Sequence, residues 1–202
     1  MENINRITKV TFLGYADAKE EDEVYKSAYA VARECAKIGL IVVDGGGPGV
    51  MRAASAGAKS VGGRTIGITF YPTNIPVFEG RDEANVVDQL IVADNYLDRT
   101  LKLLEEGQVF VIFKGGTGTI SEFGMAWGLA RLYFGHHKPL ILYGDFWEEI
   151  MAAFIKNMSI RPEEKLVYKI VSTPKQAIDA IADFEKLAKR TEHDHVNPLF
   201  EL

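Results

Sequence analysis

Two glycine-rich turns, each set between a short apolar run and a helical pattern, constrain this chain more than any other feature. In the first, Ile41–Asp44 leads into GGGPG at Gly45–Gly49 and then into VMRAASAGAKS. In the second, Val109–Phe113 leads into KGGTGTISEF at Lys114–Phe123, with Ile120, Phe123, Gly124, Trp127 and Ala130 at helical spacing. A glycine turn from a strand into a helix leaves the first backbone N–H groups of that helix free. Together with the helix dipole they attract an anion, most often a phosphate. Glycine also lets the backbone take positive φ and come close to a ligand. Pro48 suits the first helical position, where its missing N–H costs nothing.

The same alternation runs through the whole chain. Strands are expected at Ile7–Leu13, Leu40–Val43, Thr65–Phe70, Val86–Val92, Val109–Phe113, Pro139–Tyr143 and Leu166–Val171. Helices are expected at Glu20–Ile38, Pro48–Ser60, Asn95–Glu106, Thr119–Tyr133, Phe146–Asn157 and Pro174–Ala188. Several strands are continuous apolar runs, as when helices cover both faces of a parallel sheet. The pattern predicts a doubly wound α/β fold as one domain over 1–188, with a tail over 189–202. Such sheets bind ligands beyond the carboxyl ends of their strands, where both turns lie. The irregular segment Tyr71–Asp82 is expected to border that site.

Composition removes other classes. A length of 202 residues suits one sizeable core, and a net charge of −5 argues against broad nucleic-acid binding. No apolar stretch approaches the ~18 residues of a membrane span, and the amino terminus has no signal-peptide core. The single Cys35 excludes an internal disulfide and fits a reducing cytoplasm; its helical flanks mark it as buried and inert.

The first strand ends in Gly14-Tyr15-Ala16-Asp17, so the dinucleotide fingerprint G-x-G-x-x-G is missing there, as is a P-loop anywhere. No Cys or His spacing suggests a metal. His136, His137, His193 and His195 read as solvated.

The runs GGGPGVMRAASAGAKSVGGRTIGI and GGTGTISE together resemble the LOG family, whose hallmark is PGGxGTxxE after an upstream arginine. The resemblance covers Gly14 to about Tyr143. It implies a Rossmann-like homodimer that binds a small nucleotide ligand and cleaves the N-glycosidic bond of nucleoside 5′-monophosphates, among them cytokinin riboside monophosphates. It also implies catalytic roles for Arg99 and Glu122. Gly115, Gly116, Thr117, Gly118 and Thr119 would form the phosphate-binding turn, with Gly45, Gly46, Gly47 and Gly49 opposite. The family's older lysine-decarboxylase label finds no support, since no lysine is marked as a pyridoxal-phosphate anchor; no cofactor is expected. The sequence departs from the family pattern at Lys114, in place of the hallmark proline, and at Thr100, Arg52 and Asp17. Relatives of this fold also resemble non-catalytic carriers of the molybdenum cofactor, so a carrier is the second function class.

The implied chemistry is coherent. N-glycosidic cleavage passes through an oxocarbenium-like sugar, which a carboxylate stabilises while activating water. Arginine offers two directed donors for a phosphate or a departing base. On a helical wheel Leu97, Leu101 and Leu104 form an apolar stripe. Arg99 falls opposite them, beside Asn95, Lys102 and Glu106, which predicts an exposed arginine facing a cleft. A rival reading stands for Glu122. Thr119-Ile120-Ser121-Glu122 also fits a capping box, in which the glutamate only closes a helix end.

Overall fold

The computed structural model describes residues 7–72 and 81–190, the side chains of 188–190 excepted. Seven parallel strands form one sheet: β1 (Lys9–Leu13), β2 (Ile41–Asp44), β3 (Thr65–Phe70), β4 (Gln89–Ala93), β5 (Val109–Ile112), β6 (Leu140–Tyr143) and β7 (Tyr168–Val171). Their order is β4-β3-β2-β1-β5-β6-β7. The helices are α1 (Glu23–Lys37), α2 (Val50–Lys59), α3 (Tyr96–Glu106), α4 (Thr117–Leu132), α5 (Phe146–Asn157) and α6 (Pro174–Arg190), with a short 3-10 helix at Pro162–Lys165. This is the expected doubly wound, Rossmann-like architecture. The expected strands and helices all form, with boundaries moved by a few residues.

The continuous apolar runs become strands buried on both faces. Val10, Phe12, Val42, Val109 and Val111 pack with Ala28, Val31, Ala32, Cys35 and Ala53 on one side. Leu13, Phe110, Ile112, Leu140 and Leu142 pack with Phe123, Ala126, Trp147 and Met151 on the other. Burial pushes the Cys35 thiol up to about 12, so it is an inert core group.

The order reverses at β1, which pairs with β2 on one side and β5 on the other. Chain crossing at such a point opens a crevice at the carboxyl ends of the strands. Both glycine turns follow the strands that flank it. Tyr15 ties them together: its N–H donates to Lys114 O at 3.0 Å, and its carbonyl accepts from Val50 N–H at 3.0 Å. The expectation that the turns share one end of the sheet therefore holds.

Two details differ from the sequence reading. Pro48 lies outside α2, whose amino-terminal cap is Gly49, with φ +62°. A side chain there would meet Tyr15 O at 2.3 Å, so the close crossing of the β1 and β2 loops demands glycine. His137 is half-buried rather than solvated, stacked on Phe134 with ring centroids 5.5 Å apart. Desolvation, then His136, holds its imidazole down at about 4. Much of the irregular segment over 71–82, and the tail with His193 and His195, lie outside the described residues. Among the described residues no helix is long and apolar enough to cross a membrane.

Candidate functional site

α4 begins at Thr117 with Gly116 as its amino-terminal cap, and its first intrahelical bond runs from Ile120 N–H to Gly116 O at 3.0 Å. The N–H groups of Thr117, Gly118 and Thr119 thus precede the helical ladder and are available to an anion. Gly116 and Thr117 are exposed, Gly115 and Gly118 half-buried and Thr119 buried, so the turn opens to solvent along its amino-terminal half. This start also removes the capping-box reading. Thr119 stands inside the first turn rather than at the cap, and Glu122 lies a further turn in, out of capping position.

Glu122 is buried and meets the equally buried Arg99, Nη1 to Oε1 at 3.6 Å, an ion pair longer than a hydrogen bond. Desolvation pushes its carboxyl up from 4.5 to about 7, against the lowering pull of Arg99. A carboxyl poised near neutrality exchanges a proton where an acid–base group is most effective.

Arg99 is where the sequence reading errs. It is 5 % exposed, while Leu97, assigned to the inner stripe, is 69 % exposed. The buried face of α3 is Arg99, Thr100, Leu103 and Leu104. The helical wheel failed because α3 rests its amino-terminal half on polar backbone rather than on core. Arg99 Nε donates to Ile68 O at 3.0 Å, and Nη2 donates to Gly45 O at 3.1 Å. A Cβ on Gly45 would stand 1.8 Å from Nη2, which accounts for glycine at that position. The guanidinium thus links the end of β3, the first glycine turn and α4.

The turn Gly45–Gly49 is packed inward. Gly45, Gly46, Gly47 and Gly49 are buried, and several of their groups have partners within the chain. Gly46 N–H donates to Asp44 Oδ1 at 2.7 Å, and Gly46 O accepts from Asp82 N–H at 2.9 Å. Gly47 O accepts from Asn85 Nδ2 at 2.9 Å. Arg52 reaches across to Asp82, Nη1 to Oδ2 at 3.1 Å, fastening the segment before β4 onto this turn. The two turns therefore differ: residues 115–119 present open N–H groups, whereas 45–49 hold Arg99 in place.

Sequence reading passed over Asp44, Ser55 and Asn85. Asp44 is fully buried and accepts from Ser55 Oγ at 2.5 Å, Gly46 N–H and Asn85 Nδ2 at 3.0 Å. The available signal was an aspartate ending an apolar strand, a position that burial makes costly unless it is satisfied. Lys114 is exposed at the entrance to the open turn, and Asp17 is exposed near the end of β1. Among the described residues no group of His, Cys, Asp and Glu is arranged to hold a metal ion.

Both the sequence and the fold have known relatives. Residues 7–176 match the model of the SLOG cluster4 family. An uncharacterised protein of Archaeoglobus fulgidus is 30% identical over 67% of this chain and 86% of its own length. A cytokinin riboside 5′-monophosphate phosphoribohydrolase of Mycobacterium tuberculosis is 31% identical over 62% of this chain, which spans 64% of that protein. Among solved structures, the molybdenum cofactor binding protein of Rippkaea orientalis superposes with a TM-score of 0.65 at 27% identity, covering 89% of this chain and 98% of that one. The LOG resemblance carried by the two glycine motifs therefore holds, and the chain belongs to the SLOG cluster4 family.

Proposed function

We propose that this protein hydrolyses the N-glycosidic bond of a nucleoside 5′-monophosphate, giving free base and ribose 5-phosphate. Cytokinin riboside monophosphates fall within that substrate class. The observation that carries the reading is the buried Arg99–Glu122 pair, 3.6 Å apart, beside an exposed turn of unladdered N–H groups. The 5′-phosphate binds to the turn Gly115–Thr119, where the N–H groups and the α4 dipole meet its charge. The ribose then reaches over α4 toward Glu122. As the glycosidic bond breaks and its electron pair leaves with the base, ionised Glu122 stabilises the oxocarbenium-like sugar. It takes a proton from the water whose oxygen bonds to the sugar carbon, and that proton passes to the base nitrogen, which restores the ionised carboxylate. Arg99, held by Ile68 O and Gly45 O, orients Glu122 and balances its negative charge.

The test is a panel of nucleoside 5′-monophosphates followed by chromatography for free base. At least one member releases base, and the matching nucleoside without phosphate reacts at least ~10-fold more slowly, since it lacks the charge-assisted contacts worth about 1.5–3 kcal/mol each. No release from any member would exclude the proposal.

A second reading has one specific support, the likeness to the molybdenum cofactor binding protein. A carrier would use the same open turn for a phosphate-bearing ligand and leave Glu122 idle. We also propose a homodimer. Trp127, Leu132 and Phe134 are apolar bulk in and just beyond the second half of α4. Trp127 is covered within the chain, stacked on Phe123 and donating Nε1–H to Glu164 O at 2.8 Å. Ile120 and Leu132 on α4, and Phe134 just beyond it, stay exposed, and the same helix carries the exposed Gly124 and Gly128. Small residues on an apolar helix face permit close approach of a second copy. Light scattering at micromolar concentration is expected to give twice the mass of one 22.4 kDa chain, and a single chain's mass would contradict it.

A further inference from the structure

The open turn has a neighbour that neither the glycine motif nor the Arg99–Glu122 pair accounts for, the hydroxyl of Tyr96. Asn95 caps α3 with its side chain, which accepts from Asp98 N–H at 3.0 Å, and so fixes Tyr96 as the first residue of that helix. Arg99 follows three residues later, on the same side of the helix. On α4, Gly118 and Glu122 are likewise neighbours one turn apart. The two helices approach each other at both positions. Arg99 meets Glu122, and a Cβ built on Gly118 would stand 3.3 Å from Tyr96 Oη. Among the described residues, that oxygen is all such a Cβ would meet within 4 Å beyond its chain neighbours and its own helix backbone. A Cβ on Gly116 would meet nothing within 4 Å. The space over the turn is thus open at Gly116 and bounded at Gly118 by one phenolic oxygen.

The ring of Tyr96 has a packing role, an edge contact with Phe70 at the end of β3, with centroids 6.2 Å apart and planes at 75°. Phenylalanine would make that contact equally well, so packing leaves the hydroxyl unexplained. Tyr96 is 39 % exposed, and its hydroxyl makes no hydrogen bond to any described residue. We propose that Tyr96 is a phosphate-binding residue, whose hydroxyl donates to an oxygen of the phosphate held by the N–H groups of Thr117, Gly118 and Thr119. A phosphate has oxygens to spare for donors arriving from two directions, and a hydrogen bond to a charged oxygen is among the stronger kinds. The anion is then gripped from α4 by backbone and from α3 by a side chain. Arg99 and Glu122 lie one turn further along the same two helices, where the sugar attached to that phosphate arrives.

This inference rests on the turn at 115–119 holding the 5′-phosphate, and its test is independent of turnover. Calorimetric titration of the full-length protein with ribose 5-phosphate, and separately with inorganic phosphate, compares wild type with Tyr96→Phe. The variant keeps the ring contact with Phe70, so its melting temperature is expected to stay at the wild-type value. Both ligands are expected to bind it at least ~10-fold more weakly, the lower end for a hydrogen bond to a charged group. In nucleotide turnover KM rises with little change in kcat, the signature of a contact made equally in the ground and transition states. Equal binding by the two proteins overturns the proposal, as does a wild type that binds neither ligand. Weakening confined to ribose 5-phosphate would put the contact on the sugar and overturn the phosphate assignment. If both ligands bind the variant more weakly but neither protein releases base from any nucleotide, the role of Tyr96 stands and the hydrolase reading falls.

Discussion

Glu122→Gln is expected to cut base release by at least ~100-fold, the lower end of what a positioned acid–base group contributes. Glutamine keeps the shape of the side chain but cannot hold the negative charge that stabilises an oxocarbenium or accept a proton from water. The fold survives the change, because Glu122 closes no helix end and Arg99 keeps its hydrogen bonds to Ile68 O and Gly45 O. Stability should show the substitution in a pH-dependent way. Glu122's folded value, about 7, lies above its ordinary 4.5, so the native state binds the extra proton between those values. Stability of the wild type is thus lost as pH rises from about 4.5 to about 7. The loss is on the order of 3 kcal/mol for a shift of this size. Glu122→Gln removes that loss, so its melting temperature relative to wild type should rise from pH 4.5 to pH 8. Equal pH dependence of the two proteins would mean that Glu122 titrates normally in the fold.

Arg99→Ala is expected to abolish turnover and to lower stability by about 3–5 kcal/mol, the cost of removing one partner from a buried charged network. An exposed arginine would have given a harmless variant. The structure predicts the opposite, since Ile68 O and Gly45 O lose their donor and Glu122 loses its cation. Arg99→Lys keeps the charge but not the fork, and should recover part of the stability with little of the activity. Chemical denaturation checks both variants. An alanine variant within 1 kcal/mol of wild type would show that the network is not maintained in solution.

These two residues also show what the sequence could and could not disclose. The sheet was legible because buried parallel strands are continuous apolar runs and the glycine turns mark where each strand hands over to a helix. The open glycine turn at 115–119 was legible for the same reason. Arg99 was misplaced because an amphipathic wheel assumes that the inner face of a helix meets apolar core. On α3 the inner face meets the Ile68 and Gly45 carbonyls instead, which no local pattern encodes. The capping-box signature at Thr119–Glu122 misled in a related way, since the helix starts two residues earlier, at Thr117. Asp44 escaped notice because its partners, Ser55 and Asn85, lie 11 and 41 residues away in sequence. Only folding brings them to the same carboxylate. The two glycine turns read as equivalent from sequence. In the structure the closing of the segment around Asp82 and Asn85 over residues 45–49 makes one a support and leaves the other open.

The most direct test of the hydrolase reading is a single-turnover experiment with protein in excess over a nucleoside 5′-monophosphate from the reactive class. After binding, the mixture is quenched in acid and its contents are quantified. The account predicts free base and ribose 5-phosphate in equal amounts, with Glu122→Gln returning the nucleotide whole. Intact nucleotide recovered from the wild type, after binding has been shown, would contradict it and identify the protein as a carrier.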